Sequence, residues 1–175
     1  MADPRRRLTG PVRFRPVGVV RPADRAPSDL PPPAFAPPGS FGRSRGEIEI
    51  FPEFAEALEG LEDYSHVFVL FHFHRSSGAK LRATPPGEAE PRGIFSTRSP
   101  HRPNPLGLSV LKVLARRGRV LEVSGLDIVD GTPVLDLKPY TGRDRKSGIR
   151  TPRTAGKARA VGPVSPPGPR RPPRR

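Results

Sequence analysis

Three groups of side chains in this sequence have the types and spacing to do chemistry. The first is Arg98, His101, Arg102 and Asn104, set among Pro100, Pro103 and Pro105 in the stretch from Gly93 to Gly107. Proline fixes φ and removes a backbone donor, so this stretch is neither helix nor central strand. It reads as a stiff loop that opens with a short apolar strand at Gly93-Ile94-Phe95. Such a loop keeps guanidinium and amide donors ready for an anionic or amide-bearing ligand. Solvated arginines on a Pro-rich turn would have the same composition.

The second group is Asp127, Asp130, Asp136 and Lys138, between Ser124 and Tyr140. Asp130-Gly131 is ordinary turn chemistry. Asp136 and Lys138 share a strand face with Val134 at period two, which turns Asp136 inward. Asp136 is therefore a weak candidate for a catalytic base, or a structural partner of Lys138. The third group is His66, His72, His74 and His101. His72 and His74 lie two apart on one strand face, a spacing that suits a shared metal. With no cysteine in the chain and no carboxylate on that strand, hydrogen-bonded edge histidines are the better reading, and no metal is assigned.

Other chemistries are excluded by what is missing. No G-x-G-x-x-G follows a strand, and there is no P-loop and no G-x-S-x-G elbow. The absence of cysteine removes disulfides, thiolate metal sites and a cysteine nucleophile. No apolar run is long enough to span a bilayer, and the N-terminus lacks the apolar core of a secretory signal. A cytoplasmic protein is expected.

The elements that must position these residues are mostly strands. Val17–Val20 and Gly46–Ile50 read as strands, the latter with its isoleucines inward. Pro52, Glu53 and Glu56 suit a helix start, and Phe54, Leu58 and Leu61 have helical spacing, so a short helix is expected over residues 52–59. His66–His74 is the strongest strand, with large apolar residues on both faces. Residues 76–92 read as a loop. Leu108–Leu114 and Arg119–Val123 form a hairpin around Arg116-Arg117-Gly118, and Val134–Leu137 is the last strand. Strands without long intervening helices argue against parallel βαβ units. They predict an all-β fold, a small closed or nearly closed β-barrel with one short helix.

The net charge of +14 is concentrated at the ends. Residues 17–140 hold 15 basic and 15 acidic residues, whereas residues 141–175 hold 11 basic residues and one Asp. Residues 1–15 read as a basic disordered arm, residues 16–140 as the barrel, and residues 141–175 as a basic, Pro/Arg-rich disordered tail. Pro27–Pro38 is a proline-dense loop or strap. Flexible basic ends suit nucleic-acid phosphates, although an Arg/Pro/Gly/Ala coding bias would give the same composition.

Two long motifs carry a resemblance. Arg98-Ser99-x-x-Arg102-Pro103-Asn104-Pro105-Leu106-Gly107-Leu108-Ser109 comes first. It is followed by Leu126-Asp127-x-x-Asp130-Gly131-Thr132-Pro133-x-x-Asp136-x-Lys138-Pro139-Tyr140. Together they closely resemble the TsaA-like, TrmO-type tRNA methyltransferase family. The resemblance implies a β-barrel homodimer that uses S-adenosylmethionine. Its implied substrate is tRNA, methylated on N6 of threonylcarbamoyl-adenosine next to the anticodon. The implied cofactor contacts are His74, Arg75, Arg98, Leu108, Ser124, Gly125, Leu126 and Asp127. In the first long loop, where family members often carry a Pro-x-Gln segment, this sequence has Phe35-Ala36-Pro37. That departure supports the alternative reading, a non-catalytic RNA-binding barrel with a vestigial cofactor pocket.

Overall fold

The computed structural model describes residues 11–22 and 44–146. Six strands close into a barrel: β1 (Gly18–Pro22), β2 (Arg45–Ile50), β3 (His66–His72), β6 (Leu106–Arg117), β7 (Val120–Ser124) and β8 (Pro133–Pro139). Two more, β4 (Arg82–Ala83) and β5 (Arg92–Gly93), form a separate two-stranded sheet. The barrel order is β1-β2-β7-β6-β3-β8, with every neighbouring pair antiparallel. Period-two alternation explains the core: Val20, Ile48, Val67, Val69, Leu111, Leu121, Val123 and Val134 are buried in the interior. Full burial of each such side chain is worth about 1.5–3 kcal/mol.

The barrel strands named from sequence lie where expected, with shifts at their ends. Strand β3 stops at His72, so His74 lies in the turn beyond it. The expected helix is a 3-10 helix, Pro52–Leu58, followed by a second short one, Leu61–Asp63. Gly60, with φ at 77°, makes the break between them. Leu58, Leu61 and the half-buried Phe54 pack into the barrel core from the pole where β2 ends and β3 begins.

Three further expectations are corrected. Asp136 does not point inward. A bulge shifts the β3–β8 register so that Leu70 pairs with Asp136 but Phe71 pairs with Val134. The extra residue, Leu135, flips the alternation: Val134 is buried, while Asp136 and Lys138 face the outside of the wall beside Leu70 and Phe68. The stretch Gly93-Ile94-Phe95 is also not a strand. Strand β5 ends at Gly93, and Ile94–Ser96 turns as a 3-10 helix. Residues 76–92, expected as plain loop, contain β4 and the start of β5.

The 3-10 turn Gly142–Asp144 follows the barrel, closed by a capping box between Thr141 and Asp144. Most of the two basic ends, the Pro27–Pro38 stretch and Phe35–Pro37 lie outside the described residues.

Gly107 faces the barrel interior opposite Phe71, where a Cβ would come within 2.3 Å of the Phe71 ring. Gly107→Ala is expected to lower unfolding stability by about 1–3 kcal/mol in denaturant titrations, the usual cost of overpacking. Adding Phe71→Leu should return part of that loss. An unchanged midpoint for the single variant would contradict this packing.

Candidate functional site

Antiparallel order brings the C-terminal ends of β3 and β7 to the same rim of the barrel as the N-terminal ends of β6 and β8. The segments carrying the first two residue groups emerge from this rim. After β3 the chain turns at once: His74 N–H donates to His72 O (2.8 Å) and Ser76 N–H to Phe73 O (2.9 Å). This presents His74 and Arg75 outward. An Arg75 guanidinium nitrogen reaches Asp130 O at 3.4 Å, which ties the turn to the loop before β8.

The Pro-rich loop is stitched to the same turn. Ser76 Oγ–H donates to Pro100 O (3.0 Å), and Lys80 N–H donates to His101 O (3.0 Å). His101 Nδ1 lies 3.1 Å from Ser77 O; a carbonyl only accepts, so Nδ1 carries the proton. Arg102 folds back to donate to Thr97 O (3.1 Å), and Phe73 N–H donates to Pro105 O (2.8 Å). His101 and Arg102 are thus internal fasteners of the loop. Arg98 is different: it is exposed and makes no hydrogen bond or ion pair among the described residues.

On the other side of the rim, the Ser124–Asp127 segment is fixed by its backbone. Gly125 N–H donates to Ser44 O (2.8 Å), and Ser44 Oγ–H donates to Leu126 O (2.7 Å). Gly125 has φ at 81°, a conformation that favours glycine. Leu126 and Ile128 are buried, which holds the half-buried Asp127 between them. Asp127 Oδ1 accepts a 2.7 Å hydrogen bond from Ser109 Oγ on β6. Ser109 lies in the first motif but was not singled out from sequence, because nothing local links it to Asp127.

The structure therefore joins His74, Arg75, the Arg98 loop and the Ser124–Asp127 segment through consecutive contacts around one rim. Leu108 stands apart from Asp127. Its neighbour Ser109 faces the interior, so Leu108 points to the outer wall, where it is 57 % exposed. There it lines a shallow groove with Phe68, Leu70, Asp136 and Lys138. Asp136 is committed locally: Oδ2 pairs with Lys138 Nζ at 2.6 Å, and Oδ1 accepts the Leu137 N–H at 3.0 Å. The larger of two grooves among the described residues, lined by Arg15, Glu53, Gly131 and Pro133, holds none of the implied cofactor contacts. Among the described residues no group of three or more metal-ligating side chains comes together.

Electrostatics add one feature. Desolvation, reinforced by the charges of Arg75 and His72, holds the His74 imidazole below its ordinary pKa of 6.5. His74 is therefore neutral at neutral pH.

Residues 35–144 match the family model described as the tRNA-methyltransferase O N-terminal domain. A "Probable S-adenosyl-L-methionine-binding protein" from Methanothermobacter thermautotrophicus is 47 % identical over 129 residues, 74 % of this chain and 90 % of the relative. The human "tRNA (adenine(37)-N6)-methyltransferase" is 39 % identical over 138 residues, 75 % of this chain and 31 % of the relative. A crystal structure of TrmO from Pseudomonas aeruginosa superposes with a TM-score of 0.63 at 35 % identity, covering 82 % of this chain. This chain spans 61 % of that solved one.

An NMR titration of the His74 ring checks the electrostatics: its midpoint is expected below 6.5 and to rise in Arg75→Ala. A lowered folded-state pKa means that the unfolded chain binds the proton more readily. His74 therefore costs no stability above the ordinary pKa, and costs stability as pH falls from there through the folded-state value. A midpoint at or above 6.5 would contradict the partial desolvation and the charge effects described.

Proposed function

This chain belongs to the tRNA-methyltransferase O N-terminal domain family, and on that premise we propose that it is an S-adenosylmethionine-dependent tRNA methyltransferase acting on N6 of adenine. The observation that carries the assignment to this rim is Arg98. A loop fastened at Ser76, Ser77, Thr97 and Pro105 holds out a guanidinium that no described residue engages.

The side chains present fit this methyl donor. Arg98 can take its carboxylate in a charge-assisted pair. Asp127, with one oxygen held by Ser109, keeps the other for a ribose hydroxyl. The Ser124–Leu126 backbone offers polar edges for an adenine, whereas Leu108, on the outer wall, takes no part in this constellation. Neutral His74 keeps a further cation away from a sulfonium, which a protonated ring would repel. When bound, S-adenosylmethionine supplies an electrophilic methyl group. The residues described orient the reactants and exclude water, so much of the rate enhancement comes from positioning. Asp136, tied to Lys138 and to its own bulge, has a structural task on the outer wall.

The finer reading is threonylcarbamoyl-adenosine beside the anticodon as substrate, in a cytoplasmic homodimer whose catalytic unit is residues 16–140, with basic arms at 1–15 and 141–175. The outer face of β6 supports the dimer. Val110 and Leu114 are exposed there, 43 % and 40 %, in line with Leu108 and beside Phe68. Exposed apolar stripes of this kind mark association surfaces.

Arg98→Ala is expected to weaken S-adenosylmethionine binding by about 1.5–3 kcal/mol in isothermal titration, the range for a charged hydrogen bond. Arg98→Lys should fail substantially as well, because an ammonium cannot reproduce a bidentate contact. An unchanged dissociation constant in both variants would remove Arg98 from the site. Light scattering at micromolar concentration should give twice the chain mass, and Val110→Lys should shift it toward the monomer. A monomeric wild type would refute the dimer.

A further inference from the structure

The neutral body is electrically uneven. Between residues 75 and 105 stand Arg75, Lys80, Arg82, Arg92, Arg98 and Arg102 against only Glu88 and Glu90, and residues 17–140 balance overall, so the rest of the body is acidic. Glu88 is occupied by Arg92. The other five cations have no carboxylate partner among the described residues. Arg75, Arg82 and Arg102 direct donors instead to the carbonyls of Asp130, Pro91 and Thr97, which leaves their charge uncompensated. Elsewhere the arginines of β6, β7 and their turn are neutralised, in the pairs Arg116–Glu62, Arg117–Glu122 and Arg119–Glu49.

The same segment carries two of the most exposed large apolar side chains among the described residues, Phe95 at 79 % and Leu81 at 75 %. Their segments are paired: Ile94 N–H, one residue before Phe95, donates to Leu81 O at 2.9 Å, beside the β4–β5 pair Arg82↔Gly93. The turn presenting Phe95 is locked. Ile94 is buried beneath it, Ser96 Oγ–H donates to Gly93 O (2.7 Å), and Thr97 Oγ1–H donates to Ile94 O (2.9 Å). The turn thus holds a phenyl ring in water, on the same segment that carries the unpaired cations.

We propose that the β4–β5 projection is an RNA-docking surface: Phe95, with Leu81 beside it, stacks on an unpaired base while Lys80, Arg82 and Arg102 hold the flanking phosphates. Phosphates match the excess charge, and every base offers a face to an aromatic ring. A second copy of this chain is the poorer occupant, because a two-fold contact would set these cations against themselves. The proposal rests on the reading that the substrate is RNA. It assigns the docking to the body of the protein, close to the rim that carries Arg98 and His74, rather than to the basic tail alone.

The test is fluorescence anisotropy with the full chain at several salt concentrations. The probes are a short RNA hairpin with an unpaired loop and the same stem as a blunt duplex. Wild type should prefer the hairpin. Phe95→Ala should weaken hairpin binding about 5- to 100-fold at fixed salt, leave the salt dependence unchanged, and abolish the preference over duplex. Phe95→Tyr should restore it. Lys80→Ala should instead reduce the slope of log K against log salt by about 0.7–0.9. Both variants should bind S-adenosylmethionine as wild type does. A wild type that failed to bind that cofactor would refute the methyltransferase reading and leave this surface standing. Hairpin binding by Phe95→Ala equal to wild type, equal binding of hairpin and duplex by wild type, or conversion of a dimer to monomer by Phe95→Ala would each overturn it.

Discussion

The structure depends on closure of the barrel, and closure depends on its shortest ladder. Strands β1 and β8 share only the register pairs Gly18↔Val134 and Val19↔Pro133. Hydrogen bonds from Val17 to Val134, Val20 to Thr132 and Gly131 to Val20 extend this seam on both sides. Gly18 makes it possible, because a Cβ there would lie 2.5 Å from Glu49 O on β2. Without closure β1 and β8 would be exposed edges, and the loop from Ser124 to Gly131 would lose its anchor on β1. The rim residues hold their mutual positions because every strand beneath them is paired on both sides.

On that scaffold the candidate site is a ring of loops fastened by short polar contacts. Ser44 holds Leu126, Ser109 holds Asp127, Arg75 reaches Asp130, and Ser76 with His101 holds the Pro-rich loop. Serine hydroxyls and main-chain carbonyls make most of these fasteners, which leaves Arg98 unengaged. Prolines reduce the entropy that the loop would otherwise lose on binding, so its donors are set before a ligand arrives.

Much of this was legible in the sequence. Alternation over Gly46–Ile50 and His66–His72 placed strands with inward Ile48, Val67 and Val69, and the two long motifs named the rim segments. Asp136 was misread because period two holds only while the ladder is regular; the bulge at Leu135 depends on pairing with a strand over 60 residues away, which no local pattern reveals. Strands β4 and β5 were missed because two-residue strands leave no periodic signal. The exposure of Phe95 was hidden for a related reason: beside Ile94 it looks like core, and only the 3-10 turn separates the buried side chain from the exposed one. The Asp127–Ser109 contact spans 18 residues across two strands and likewise needed the fold.

The proposed reaction at this rim is transfer of a methyl group to adenine N6 in tRNA. The most direct measurement is mass spectrometry of nucleosides from tRNA incubated with the purified full chain and S-adenosylmethionine, beside an Arg98→Ala control. One added methyl on N6 of the adenosine 3′ of the anticodon is expected, with the control strongly reduced. Tight cofactor and tRNA binding with no methylated adenosine would contradict it and leave a binding protein with a vestigial pocket.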